Sequence, residues 1–276
     1  VKELVDGVMM SLDSGSAAAP SEENAAEENV AGKSGPNWTL RSKRPRKPLT
    51  LAGFLRRIVQ AGLTLILLWV AAVFWLGLLY WAVPPVSTLM LGRWISLQPV
   101  TREYVSLDSI SPHLPLAVIA SEDSRFCEHY GVDWDALREV VEDADEDGPA
   151  RGASTIPMQA AKNLFLWPSR SYIRKGLEIP VALYLDLVWP KRRMMEVYLN
   201  MAEWGEGVFG AEAAAQKYFG KSARSLTRME AALLAKALPN PLARNPGRPT
   251  ARHRALAGQL VARMGGAAPF SGCLKP

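Results

Sequence analysis

Residues 58–83 read Ile58-VQAGLTLILLWVAAVFWLGLLYWA-Val83, a run of 26 residues without a charge. As a helix this run is about 39 Å long, enough to span a hydrocarbon core with tilt. Only Gln60, Thr64 and the glycines dilute it. A cleaved signal peptide has an apolar core of about 7–15 residues and a small-residue cleavage site. This run is longer and ends in Trp81-Ala-Val-Pro84-Pro85, a poor cleavage site. It reads as an uncleaved anchor, so a membrane span divides the chain into an N-terminal tail and a larger C-terminal part.

Charge orients the anchor. The chain has 276 residues with 32 Lys+Arg against 27 Asp+Glu, but the excess of 5 is concentrated in one place. Residues 31–57 carry eight Lys/Arg and no acid, whereas residues 1–30 carry seven acids and one Lys. The positive-inside rule keeps residues 1–57 in the cytoplasm and sends the rest across the membrane, with Tyr80 and Trp81 at the interfacial level. Residues 1–48, rich in Ala, Ser, Glu and Pro, read as a disordered tail. A basic stretch beside a span reads as a topology signal and lipid-headgroup contact, not as a nucleic-acid site. At 49% hydrophobic residues the chain is neither polytopic nor disordered overall. Two cysteines, Cys127 and Cys273, exclude a disulfide-dense scaffold and a four-cysteine zinc site; a buried thiol at Cys127 is the default expectation, a pair with Cys273 the alternative. Three scattered histidines suggest no His-based metal centre.

Beyond the anchor, Val86–Leu97 is semi-apolar, read either as an ordinary packed segment or as a part lying against the outer leaflet. From about residue 100 the pattern is helical. Asp133 is placed to cap a helix through about Asp147, and Gly148–Gly152 reads as a flexible loop. Helices follow over about Thr155–Leu164, Ser171–Val188 and Lys191–Met201, the last with Pro190 at its first turn. Thr227-x-x-Glu230 is a capping-box pattern before the apolar run Ala231–Leu238. Pro249–Gly265 is helical. The expectation is a mainly α domain with few strands.

The chemistry is concentrated in three blocks. In the first, Glu122-Asp123-Ser-Arg125-Phe126-Cys-Glu128-His129-Tyr-Gly131, Glu122 directly follows an apolar stretch, so its carboxylate emerges at the edge of a core, which suits proton transfer. The bland reading is a solvated helix end. In the second, Gly152-Ala-Ser154-Thr155-Ile156-Pro-Met-Gln159-Ala-Ala-Lys162-Asn163, either Ser154 or Thr155 caps a helix, and Gln159, Lys162 and Asn163 fall on one side of it. In the third, Arg170, Arg174 and Glu178 step by four along one face. Two guanidiniums in a row suit a phosphate or diphosphate; a surface Arg174–Glu178 pair is the alternative. Pro180, inside the same helix, predicts a kink beside Glu178.

These blocks, in this order, resemble the family 51 glycosyltransferases, the peptidoglycan glycosyltransferases, and most closely their monofunctional biosynthetic branch in Gram-negative bacteria. The pattern EDxxFxxHxG is met at Glu122, Asp123, Phe126, His129 and Gly131. GxSTIxxQxxKN is met at Gly152, Ser154, Thr155, Ile156, Gln159, Lys162 and Asn163. RKxxExxxAxxLE is met at Arg174, Lys175, Glu178, Ala182 and Leu185, with Asp186 in place of the last Glu. Lys191-Arg-Arg-Met-Met-Glu196-Val-Tyr198-Leu199-Asn200 matches a fourth block. The resemblance implies a lysozyme-like, mainly α fold with a head and a membrane-proximal jaw over residues 84–265, an anchor at 58–83 and a short tail at 266–276. It implies polymerisation of lipid II onto a growing glycan strand, in the bacterial inner membrane with the domain periplasmic. Glu122 is then the general base and Glu178 the second essential carboxylate. Lys162, Arg170 and Arg174 stabilise the leaving diphosphate. Ser154, Gln159 and Asn163 contact substrate, and Asp123, Arg125 and His129 shape the site. Phe126, Thr155 and Lys175 complete the expected substrate-binding set. No tightly bound cofactor is expected; Mg²⁺ or Mn²⁺ accompanying the diphosphate stays open, and no residue is assigned to a metal. Without SxxK or KTG motifs, peptide cross-linking is not expected. Membrane lipids and wall-synthesis or division proteins are the expected partners. A lytic transglycosylase and a non-catalytic scaffold are the rival readings.

Overall fold

The computed structural model describes residues 50–142, 153–169, 171–267 and 269–275. The chain divides into one unit ending at Leu51 and a second, the folded domain with its apolar helix, from Ala52 to the C-terminus. The tail up to residue 49, the loop Gly148–Gly152 and Arg170 lie outside the described residues.

Helix α1 spans Leu51–Ala82, so it begins before Ile58 and includes Arg56 and Arg57. Arginine is a good helix former, and charge alone gives the backbone no reason to stop. Most of α1's side chains, among them Leu65, Leu67 and Trp75, are exposed; Val73 and Gly77 are buried. One apolar helix of this length, bare on most sides, is a candidate membrane anchor. Its C-terminal half is docked on the domain. Trp189 Nε1 donates to the Gly77 carbonyl at 2.8 Å, and Tyr184 Oη donates to the Phe74 carbonyl at 2.6 Å. Pro84 brings no N–H, so the carbonyl of Tyr80 has no helical donor four residues on. Arg193 Nη2 supplies one at 2.7 Å and also bonds the Val83 carbonyl at 2.7 Å.

Helix α2 (Thr88–Ile95) is capped by Ser87 and buries only Met90. Ser87 and Met90 are fully buried, whereas Leu91, Trp94, Ile95 and Leu97 are exposed, so the stretch packs on one side and leaves apolar side chains bare on the other. A short strand β1 (Thr101–Arg102) precedes α3 (His113–Glu122) and α4 (Trp134–Glu142). Asp133 Oδ1 accepts from the Ala136 N–H at 3.1 Å, the expected cap. Then come α5 (Ile156–Phe165), α6 (Tyr172–Val188) and α7 (Lys191–Met201). β2 (Glu203–Gly205) and β3 (Val208–Phe209) join β1 in a small sheet of order β1-β3-β2, parallel between β1 and β3 and antiparallel between β3 and β2. Helices α8 (Ala211–Phe219), α9 (Arg228–Ala237) and α10 (Ala251–Ala267) and a final turn Pro269–Leu274 complete the chain. The domain is mainly α, as expected.

The core gathers Trp189, Trp204, Tyr198, Phe126 and Phe209, each fully buried. α3 packs on α9 and α10, and α5 packs on α6 and α7. These two groups meet where α3 ends and α5 begins, and that junction carries the polar residues. Cys127 and Cys273 form a disulfide, not a buried thiol: the fold brings their Cα atoms to 5.6 Å across a separation of 146 residues. The C-terminal turn is thereby tied to the segment between Glu122 and His129.

Candidate active site

The site is built outward from the end of α3. Glu122 is the last residue of that helix and is partly buried. Its Oε1 accepts from Ser121 Oγ at 2.9 Å and its Oε2 from Gln159 Nε2 at 3.4 Å. Gln159 Oε1 in turn accepts from Tyr198 Oη at 2.9 Å. Burial, with the charges of Glu122 and Asp123, holds the Tyr198 phenol well above its ordinary pKa, so it stays a donor. Glu122 therefore offers two acceptor oxygens, each met by a neutral donor.

The segment after Glu122 is held by Asp123. Asp123 Oδ2 accepts from the Ile156 N–H at 2.9 Å, at the start of α5, and Oδ1 lies 2.9 Å from His129 Nε2. Thr155 caps α5 and donates to the Gly131 carbonyl at 2.6 Å. Of the two candidate caps, Thr155 takes the role, leaving Ser154 free to accept from Lys175 Nζ. Gly131 has φ +78° and faces the Ala182 carbonyl so closely that a Cβ would lie 2.8 Å from it, so only glycine fits the crossing. Lys191 Nζ donates to the His129 carbonyl at 2.6 Å and sits 4.9 Å from the Phe126 ring centre. It also pairs with Asp186 at 2.8 Å, so the Asp in place of Glu still has its cation.

Glu178 stands on α6 and is 2% exposed. Arg174 bonds its Oε1, and Lys175 Nζ bonds its Oε2 at 2.9 Å. The pair is thus not a surface pair. α6 continues through Pro180 as one helix. Lys162, one helix away on α5, has its pKa lowered, first by burial and then by the cations Arg174 and Lys175, against the opposing pull of Glu178 and Glu122. Lys162, Asn163 and Arg174 line a cleft of about 300 Å³ with Thr88, Leu89 and Trp167. The Thr88 hydroxyl fixes that wall by donating to the carbonyls of Asn163, at 3.0 Å, and Leu166, at 2.8 Å.

The structure thus brings Glu122, Gln159, Lys162, Asn163, Ser154, Arg174, Lys175 and Glu178 together around the α3–α5–α6 junction. It turns others inward. Phe126 is wholly buried, and Asp123, His129 and Thr155 are buried and used in bonds that hold the loop. Arg125 points elsewhere, to Glu128, Asp133 and Asp135. Arg170 lies outside the described residues. Two participants escaped the sequence reading: Ser121, and Lys236 on α9, whose Nζ donates to Ser121 Oγ at 2.9 Å. The available signal was one lysine inside the apolar run Ala231–Leu238.

The transglycosylase family model matches residues 90–265, which include every residue of this junction. A biosynthetic peptidoglycan transglycosylase of Rhodopseudomonas palustris (strain HaA2) is 52% identical over 211 residues, 76% of this chain and 93% of the relative. One of Rhodospirillum centenum is 52% identical over 213 residues, 76% of this chain and 90% of the relative. One of Brucella suis biovar 1 is 49% identical over 222 residues, 79% of this chain and 98% of the relative. With the family match over most of its length and relatives at this identity, the chain belongs to the transglycosylase family.

Proposed function

We propose that this glycosyltransferase of peptidoglycan synthesis polymerises lipid II into linear β-1,4 glycan strands, releasing undecaprenyl diphosphate. The family match and relatives named biosynthetic peptidoglycan transglycosylase support the class of enzyme. The observation that carries the chemistry is the pair of acceptor-only oxygens on Glu122 beside a cleft lined by cations. A carboxylate that receives donors at both oxygens is arranged as a base. A glycan-cleaving enzyme needs a carboxylic acid that holds a proton for its leaving group, and this arrangement disfavours that reading.

In the proposed step, the 4-hydroxyl of the acceptor sugar attacks the anomeric carbon of the donor. Its proton passes to Glu122. The bond between the anomeric carbon and the diphosphate oxygen breaks, the diphosphate keeps the electron pair, and the configuration inverts once. Lys162 and Arg174, with Arg170 as a further candidate, face the negative charge that grows on the leaving oxygen. Preorganised cations in a partly buried cleft are effective there because they need little reorganisation. Glu178 sets the positions of Arg174 and Lys175. Its two oxygens are both occupied by cations, so this donor set does not fit a protein-held Mg²⁺ or Mn²⁺.

The position of the anchor and the apolar residues exposed on α2 support a domain that rests on the outer face of the inner membrane, with residues before the span cytoplasmic. Membrane lipids are then its immediate surroundings, and wall-synthesis proteins its candidate partners. The test is polymerisation of labelled lipid II by the full-length protein in detergent. Glu122→Gln is expected to lose about 10²–10⁴ in rate with folding intact. Shortening of pre-formed glycan without polymerisation, or near-parent activity of the variant, would overturn the reading.

A further inference from the structure

We propose that Lys236, acting through Ser121, is a positioning residue that holds the Glu122 carboxylate oriented for proton abstraction. The inference rests on the reading of Glu122 as the general base.

Lys236 is the only charged residue in the run Ala231–Leu238, and its neighbours Ala231–Ala235 and Ala237 are buried. Lys236 itself is half-buried, so its ammonium is partly withdrawn from water and gains from a polar partner. The packing of α9 on α3 puts Nζ 2.9 Å from Ser121 Oγ, and that oxygen is 2.9 Å from Glu122 Oε1. The chemistry of the three groups sets the direction of the chain. An ammonium only donates, so Ser121 Oγ accepts from Lys236. A hydroxyl has one proton, so Ser121 then delivers it to Glu122. The Gln159 amide occupies the other oxygen. Both carboxylate oxygens thus receive a donor, one of them polarised by a cation. Such a relay is matched to a carboxylate and mismatched to a carboxylic acid.

The surroundings sharpen the role. Glu122 is faced by Ser121 from its own helix, Gln159 and Lys162 from α5, Tyr198 from α7 and Lys236 from α9. Lys236 is faced by Glu122, by Arg263 from α10 and by Arg244, whose Nη1 donates to the Lys236 carbonyl at 2.7 Å. Among the described residues no ion pair engages the Lys236 ammonium. Burial, with the two arginines, lowers its pKa, while Glu122 opposes the shift. Its charge is therefore sustained by the carboxylate it serves.

The test uses full-length protein in detergent with lipid II, comparing Lys236→Met, Lys236→Arg, Ser121→Ala, the Lys236→Met/Ser121→Ala double variant and Glu122→Gln, with a thermal melt for each. Lys236→Met is expected to lower kcat about 10–100-fold, by analogy with the loss seen when the outer partner of a metal ligand is removed, with KM within about threefold. Lys236→Arg recovers most of the rate. Ser121→Ala loses a comparable factor, and the double variant loses no more than the worse single one, because both interrupt the same relay. A parent-like kcat in both Lys236→Met and Ser121→Ala would overturn the proposal. So would a loss confined to KM, which marks a substrate cation, or one accompanied by a lowered melt and not rescued by Arg. Failure of the base reading is distinct: it shows as activity retained by Glu122→Gln. An inactive Glu122→Gln beside a parent-like Lys236→Met refutes only the relay.

Discussion

At the scale of single residues, burial changes what a familiar side chain does. Arg174 and Glu178 are four apart, a spacing common in surface pairs worth a few tenths of a kcal/mol. Here their side chains are only 11% and 3% exposed, and Arg174 lines the cleft, so the pair is not decoration on a solvated helix. Lys162 shows the same effect in its proton affinity. Burial lowers its pKa, so it gives up its proton at a lower pH than an ordinary lysine. A cation that stabilises a leaving diphosphate works only while protonated. Activity is therefore expected to fall on the alkaline side beginning below the pH at which an exposed lysine titrates. Lys162→Arg, which keeps its charge throughout, should shift that limb upward. A kcat/KM profile against pH for the two proteins checks this; coincident alkaline limbs would remove Lys162 from the role. The residue types of the site were legible, since two carboxylates and several cations stand in spaced blocks. Which of them face substrate was not, because Phe126 and Thr155 sit in the same blocks and point inward.

At the scale of elements, local chemistry sets helix ends and tertiary contacts set their use. Ser171 caps α6, Pro190 precedes α7, and Thr227 with Glu230 closes a capping box on α9. Each was readable because a cap is decided within four residues. The start of α1 was not, since the positively charged flank continues the helix. Thr155 does two jobs. Its Oγ1 accepts from the Met158 N–H at 3.3 Å, and it donates to the Gly131 carbonyl at 2.6 Å, joining α5 to the loop after Glu122. Thr155→Val keeps the shape and removes both bonds. It is expected to cost about 1–3 kcal/mol of stability, from the lost cap and a buried carbonyl without its donor. Denaturant unfolding measures this; a change under about 0.5 kcal/mol would show that neither bond contributes to stability.

At the scale of the whole molecule, two long-range ties hold the site between its ends. On one side the anchor is fastened to α6 and α7 through Trp189, Tyr184 and Arg193. On the other the Cys127–Cys273 bridge fastens the C-terminal turn to the loop after Glu122, where Arg192 Nη1 also holds the Leu274 carbonyl at 2.8 Å. The bridge closes a loop of 146 residues, and a cross-link over so long a loop removes much freedom from the unfolded chain. Cys127→Ser with Cys273→Ser is expected to lower stability by about 2–4 kcal/mol. Parent protein treated with dithiothreitol should melt at the same lowered temperature. A melt unmoved by both treatments would mean that the bridge adds nothing to the fold.

The long apolar helix with its basic flank, the mainly helical domain, the caps and the order of the motif blocks are all written in local sequence. These depend on neighbours a few residues apart, where period, charge and capping chemistry act without help from the rest of the chain. Only the tertiary structure decided that Lys236 meets Ser121 across 115 residues, that Cys127 finds Cys273, and that Arg193 closes the end of the anchor. It also decided that Arg125 turns away to Asp133 and Asp135. Those outcomes depend on which helix faces pack together, and that is set by the shape of the whole core, which no local pattern encodes.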